Sequence, residues 1–279
     1  MPLSLASSDK PSVRTLQGQR YDDANYWDSR YLDASRSATF DWHCDLSHLR
    51  EHLKPHLRKG IRRILIIGCG NSQLPAHLWD AGFHSITALD ICAITVRRMV
   101  SKFKSARPGL DFLCLDARAM SRLHAETFDL VIDKACMDAM FCSDGHFVDV
   151  SAMLHEVNRV LVPSGRFVSL SHGSPLARIP LLQSKHLPWR VAHTRVPVPI
   201  LQSSRPNSTT NSPQLGLKPP AGCGEAGTEA HHSLYLYACS KLQDREKVRR
   251  ISRSADVELA AENEYLQLLK SRCADRKGH

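Results

Sequence analysis

Residues 61–72 read Ile61-Arg62-Arg63-Ile64-Leu65-Ile66-Ile67-Gly68-Cys69-Gly70-Asn71-Ser72, and Asp90 follows twenty positions after Gly70, closing the run Ser85-Ile86-Thr87-Ala88-Leu89-Asp90. An unbroken aliphatic run ending in Gly-x-Gly is a strand buried on both faces that enters a tight turn. Helical spacing over Gln73–Ala81 and a second apolar strand come next, so the unit is strand, glycine turn, helix, strand, acid. Glycines at 68 and 70 leave room for a ligand to approach the backbone. A carboxylate at the tip of the second strand can accept hydrogen bonds from both hydroxyls of a ribose.

Working outward, strands and helices alternate. Strands are predicted over Ile61–Ile67, Ile86–Leu89, Leu110–Leu115, Phe128–Ile132 and Arg166–Ser171, with helices over Gln73–Ala81, Ala93–Lys104 and Phe147–Leu161, the last stopped by Pro163 and Gly165. This rhythm requires a mostly parallel, doubly wound α/β sheet with helices on both faces. Gly68, Asp90, Asp116 and Asp133 all fall at carboxyl ends of strands, the edge where such sheets bind ligands. Trp189–Val198 and Ser233–Lys241 form two further strands with no helix between them and should pair antiparallel.

The dinucleotide fingerprint needs a third glycine, and Gln73 stands in its place. Its loss argues against NAD or FAD and favours an adenosine ligand without a pyrophosphate, for which S-adenosylmethionine is suited. Upstream, Tyr26, Trp27, Tyr31, Phe40 and Trp42 concentrate aromatics before the first strand. They either seal the sheet edge or cap a ligand, since aromatic faces attract a sulfonium cation. A helix starting near Asp45 turns Leu46, Leu49 and Leu53 toward a core.

The 279 residues suit one elaborated α/β domain. Its organisation is expected to be a disordered 1–20, a domain over 21–241 carrying a flexible loop at 202–231, and a charged helical tail over 242–279. No run reaches the roughly 20 apolar residues of a membrane span. The nine cysteines contain no Cys-x-x-Cys pair, so no metal site is expected, and buried thiols fit a reducing compartment, the cytoplasm. The net charge of +9 is uneven: residues 157–224 contain no acid but eight arginines and lysines, a surface for an acidic partner or RNA, or simply a solvated face.

These pieces together resemble a known family. Tyr-Trp-Asp-x-Arg-Tyr (26–31), Phe-Asp-Trp (40–42), Gly-Cys-Gly-Asn-Ser (68–72), Leu-Asp-Ala-Arg (115–118) and Asp-Lys-x-x-x-Asp (133–138) are similar to the class I S-adenosylmethionine-dependent methyltransferases, in the branch that methylates lysines of translation elongation factor 1-alpha. The resemblance implies a seven-stranded, Rossmann-like sheet with an antiparallel last strand, S-adenosyl-L-methionine as cofactor, and elongation factor 1-alpha as a protein substrate. It also implies that Trp27, Tyr31 and Phe40 close over the cofactor and that Gly68 and Gly70 lie beside its methionine and ribose. Asp90 would hold the ribose, Ile91 touch adenine, Asp116 and Ala117 meet the adenine amino edge, and Lys134 border the methionine end. Where the family reads Gly-Thr-Leu between Lys134 and Asp138, this chain has Ala135, Cys136 and Met137. Asp133 and Asp138 are the candidate catalytic carboxylates, helping a lysine shed its proton; Asp138 alternatively caps or orients Lys134. Methyl transfer to RNA or a small molecule, and a non-catalytic binding module, are the competing functions.

Overall fold

In the computed structural model, residues 23–32, 41–44, 46–142, 146–197 and 234–243 are described. The expectations for 1–20, for Phe40, for the 202–231 loop and for the tail beyond 243 lie outside them.

Strand β1 (Ile64–Ile67) is buried along its whole length. Ile64 and Ile66 enter one core and Leu65 and Ile67 the other, which is why the strand reads as a continuous aliphatic run rather than an alternation. It pairs in parallel with β2 (Ile86–Asp90) on one side and β4 (Phe128–Lys134) on the other. With β3 (Leu110–Cys114), β5 (Leu161–Ser171), β6 (Trp189–Val196) and β7 (Leu234–Lys241) the sheet has seven strands in the order β3-β2-β1-β4-β5-β7-β6. The seventh strand runs antiparallel to both of its neighbours, as expected from the two final strands. Leu242 is buried and its N–H bonds Pro188 O, so the packed chain runs past Lys241.

The core on one face of the sheet takes its helical residues from α2 (Leu46–Leu53), α3 (Leu74–Asp80) and α4 (Ala93–Met99). The other takes them from α5 (Cys136–Met140), α6 (His146–Val160) and α7 (Pro175–Leu182). Helix α6 buries Val150, Met153, Leu154, Val157 and Val160 along one stripe, the 3.6-residue period that made it legible. Helix α4 continues as a π turn over Val100–Lys104. One boundary differs from expectation. Pro163 and Gly165 do not separate helix from strand: β5 opens at Leu161, directly after α6, and residues between Leu161 and Arg166 bulge out where the partner advances only from Phe128 to Leu130. Helix α1 (Ala24–Leu32) precedes the sheet. No helix of the described residues is long and apolar enough to cross a membrane.

Candidate functional site

The turn after β1 places Gly68 and Gly70 in the left-handed region, with φ of 58° and 50°. Both also sit against side chains. A Cβ on Gly68 would lie 2.5 Å from Cys136 Cβ, and one on Gly70 would lie 3.1 Å from the Tyr31 hydroxyl. The turn is tied to the second strand through Asp90. Its Oδ2 accepts the Gly70 N–H at 2.7 Å and its Oδ1 accepts the Cys92 N–H at 2.9 Å. Burial pushes the Asp90 carboxyl up; the two amide bonds oppose that shift, and the Asp28 charge adds to it. A carboxylate has about four acceptor positions, so two remain for donors from a ligand, which matches a ribose diol. Ile91 follows directly, and the Leu115 N–H bonds Asp90 O, bringing the end of β3 alongside.

Helix α1 stands over this turn. Cys92 Sγ donates to Asp28 Oδ1 at 2.9 Å and Arg98 donates to the Tyr31 carbonyl, fixing the helix against the start and body of α4. Tyr31 is buried, and burial followed by the nearby Asp90 charge raises its hydroxyl strongly. Trp27 stacks with Tyr31 at 6.0 Å and meets Trp42 edge-on at 6.4 Å, and the Arg30 guanidinium lies over both indoles. The Tyr31 hydroxyl thus lies at the glycine turn, with Trp27 packed on Tyr31 and Trp42 edge-on to Trp27. Beyond β3, Ala117 is buried and Asp116 chelates Arg118, whose Nε and Nη2 donate to it while Nη1 pairs with Asp149 at 3.0 Å.

The end of β4 holds the rest of the predicted residues. Lys134 is buried and its Nζ reaches Asp41 Oδ1 at 3.0 Å and Trp42 O at 3.1 Å, while the Ser72 hydroxyl also bonds Asp41. Asp138 is thus not the residue that orients Lys134; Asp41 is. Asp133 is fully buried. Its Oδ1 accepts the Cys136 and Met137 N–H groups at the start of α5 and its Oδ2 accepts the Ser169 hydroxyl at 2.6 Å. Burial pushes its carboxyl up to about 7 against these bonds, with the Asp138 charge adding to the rise. Asp133 therefore fastens α5 to β4. Ala135, at φ 76°, makes the left-handed step between strand and helix.

Asp138, in the first turn of α5, anchors a cluster that sequence reasoning missed. Its Oδ1 accepts from the Ser171 hydroxyl and from Arg178 Nη2 at 3.0 Å. Its Oδ2 accepts the His172 N–H at 2.8 Å and lies 3.0 Å from His43 Nε2. Burial would raise this carboxyl, but the His43 contact, then the Arg178 charge and the Ser171 hydroxyl, outweigh it and hold Asp138 well below the usual carboxylate range. Arg178 is buried and its guanidinium packs 3.6 Å from the centre of the Phe141 ring. The His43 and His172 rings meet edge-on at 4.2 Å. Among the described residues no group of acidic, histidine or cysteine side chains could hold a metal ion. An open hollow of about 360 Å³ lies at the opposite edge of the sheet, among Arg58, Lys59, Asp129 and Gly165, away from this chemistry.

The sheet and its glycine turn are of a kind found in known proteins that the chain resembles. A family model described as a methyltransferase domain matches residues 65–169. EEF1A lysine methyltransferase 4 of Bos taurus is 36% identical over 183 residues, which cover 62% of this chain and 70% of that protein. The eEF1A lysine and N-terminal methyltransferase of Mus musculus is 32% identical over 55% of this chain and 22% of that protein. A solved structure described under the conversion of a disulfide bond into a thioacetal group during echinomycin biosynthesis superposes with a TM-score of 0.53 at 14% identity, covering 84% of this chain and 99% of that one, a likeness of fold alone. The chain belongs to the methyltransferase family of these EEF1A lysine methyltransferases, and it is an enzyme that uses S-adenosyl-L-methionine.

Proposed function

We propose that the enzyme is a protein-lysine N-methyltransferase whose substrate is translation elongation factor 1-alpha. The observation that carries this reading is the 36% identity extending over 70% of EEF1A lysine methyltransferase 4. S-adenosyl-L-methionine supplies a sulfonium-bound methyl group, which an amine nitrogen takes by direct displacement at carbon. The protein's task is to align that nitrogen, to exclude water and to receive its proton.

Asp90 holds the ribose hydroxyls with its two remaining acceptor positions, and Gly68 and Gly70 give the ligand access to the backbone. Ile91 lies against adenine, with Asp116 and Ala117 at its amino edge. Trp27 and Tyr31 close the site from above. Lys134 borders the methionine end through its hold on Asp41 and Trp42. Asp133 and Asp138 fix helix α5, which forms the wall on the acceptor side. A translation-factor substrate places the enzyme in the cytoplasm. Lys185, Arg190 and Arg195 are exposed, and Arg159 and Arg178 pair with Glu156 and Asp138. The acid-free stretch 157–224 is the region proposed to meet an acidic part of the substrate or RNA bound to it.

The test is incubation of the purified full chain with radiolabelled S-adenosylmethionine and recombinant elongation factor 1-alpha, followed by mass spectrometry of the product. Label on a lysine of the factor is expected. Label that RNase removes, or none at all with retained cofactor binding, would overturn the assignment.

A further inference from the structure

We infer that His43 is the group that accepts the proton from the substrate lysine, with Asp138 as its fixed counter-charge. The inference rests on the lysine methyltransferase reading above. A lysine arrives as an ammonium ion, and its nitrogen attacks only after losing a proton. Asp138 is badly placed to take it. Its two oxygens already accept from the Ser171 hydroxyl, the Arg178 guanidinium and the His172 N–H, three of the roughly four acceptor positions of a carboxylate, and the His43 ring faces the rest at 3.0 Å. Asp133 is sealed under α5 with no exposed surface.

His43 differs from both. Its side chain is 5% exposed, and Nε2 lies 3.0 Å from Asp138 Oδ2 without forming a regular hydrogen bond to it or to any other group. A buried ring nitrogen left in this state in a native protein calls for an explanation. Its backbone is also in the left-handed region, at φ 72°, which is uncommon for a residue with a Cβ. Two independent features, an incompletely satisfied ring and an uncommon backbone conformation, fall on one residue beside the acceptor wall.

The chemistry balances simply. Asp138 can only accept, so the proton of the neutral imidazole sits on Nε2, facing the carboxylate, and Nδ1 carries the lone pair. An N–H bond of the lysine ammonium breaks, its electron pair stays on the amine, and the proton forms a new bond to Nδ1. The resulting imidazolium faces Asp138 at 3.0 Å, which improves that contact at the moment the charge forms. The imidazolium returns its proton to water when the product leaves. Among the described residues, the charged and titratable groups around His43 are Asp138 from α5, Arg178 from α7 and His172 after β5. Lys134 and Asp41 lie on the other side of the same segment.

The test compares wild type with His43→Gln, whose amide can face Asp138 but cannot accept a proton. Methylation of elongation factor 1-alpha is followed from pH 6 to pH 10, alongside calorimetric titration with S-adenosylhomocysteine. The variant should lose about 100-fold in kcat at pH 7, the usual scale of a general base, keep its affinity for S-adenosylhomocysteine, and recover as pH approaches 10, where lysine deprotonates unaided. His43→Ala should be rescued in part by added imidazole. A rate within threefold of wild type and an unchanged pH profile in His43→Gln would overturn the inference while leaving the lysine methyltransferase reading intact. If His43→Gln fails to fold, imidazole rescue of His43→Ala decides, and absence of rescue counts against the role. A wild-type protein that binds S-adenosylhomocysteine yet labels no lysine at any pH removes the reading itself, and the inference with it.

Discussion

Replacing Asp90 by alanine tests the ligand site most directly. The carboxylate accepts two backbone N–H groups and is proposed to accept two ribose hydroxyls. Hydrogen bonds to a charged acceptor contribute about 1.5–3 kcal/mol each, so losing both ligand bonds removes about 3–6 kcal/mol. Part of this is recovered, because the carboxylate is held raised by burial in the free enzyme and its removal relieves that desolvation. The net expectation is a loss of about 3–4 kcal/mol, or roughly 100- to 1000-fold in Kd. The variant should still fold, because the orphaned Gly70 and Cys92 amides cost about as much as the buried charge releases. Asp90→Asn keeps one acceptor oxygen and should lose about tenfold. Calorimetric titration with adenosine and with 3′-deoxyadenosine separates cause from accident: wild type should discriminate between them, and Asp90→Ala should not. An Asp90→Ala protein with Kd within threefold of wild type and undiminished preference for the intact ribose would refute the assignment.

Three further outcomes are expected. Asp133 has a folded value of about 7 against 3.8 for the unconstrained group. Between pH 4 and 7 the unfolded chain therefore surrenders this proton while the native state keeps it, and stability falls as pH rises through that window. Three units correspond to at most about 4 kcal/mol; Asp133→Asn, which can still accept from α5 and bond Ser169, should melt progressively higher relative to wild type as pH goes from 4.5 to 7.5. A constant difference in Tm would contradict the buried-acid account. Gly68→Ala meets both a left-handed φ and Cys136 Cβ at 2.5 Å. It should cost about 2–4 kcal/mol in denaturant unfolding, with part restored in Gly68→Ala/Cys136→Gly; additive costs would show that the two residues do not touch. Lys134→Met strands Asp41 and frees the Trp42 carbonyl. Breaking a buried pair in this way costs about 3–5 kcal/mol, and faster amide exchange over residues 41–44 is expected; unchanged exchange there would exclude Lys134 as their anchor.

The sequence was informative where one element states its own environment. The aliphatic run of β1 requires cover on both faces, and the glycine pair with Asp90 follows from local spacing. Helix α7 was not predicted: it holds Pro175 and Pro180, yet Pro175 occupies the first turn, where its missing N–H costs nothing. The start of β5 was missed as well: Pro163 lies in a bulge, which removes no ladder bond. The pairing of Lys134 was misjudged because Asp138 is close in sequence, whereas the left-handed turn at Ala135 separates their side chains and Asp41, far upstream, fills the space. Arg178 belongs to an acid-free segment and read as a surface charge. The signal that could have found it was already present: a lone arginine within Pro-Leu-Ala-Arg-Ile-Pro-Leu-Leu must either escape the apolar face or find a buried acid.

The two acids of Asp133-Lys134-x-x-x-Asp138 show why this site needs a third group. Their environments drive them apart: burial lifts Asp133 to about 7, while donors on every side hold Asp138 down. Separated values of this kind assign roles to paired carboxylates, but here accessibility reverses the obvious choice. Asp133 has the basicity a proton acceptor needs at neutral pH but is fully buried; Asp138, on the proposed acceptor wall, is too weak a base. His43 resolves the conflict because it borrows the charge of Asp138 without depending on its basicity. The same segment reaches the cofactor side, since Asp41 bonds both Ser72, just after the glycine turn, and Lys134 at the end of β4. Residues 41–44 therefore link the turn proposed to receive the nucleoside to the ring proposed to receive the proton. A disturbance of the glycine turn should then reach the pH dependence of turnover as well as cofactor affinity.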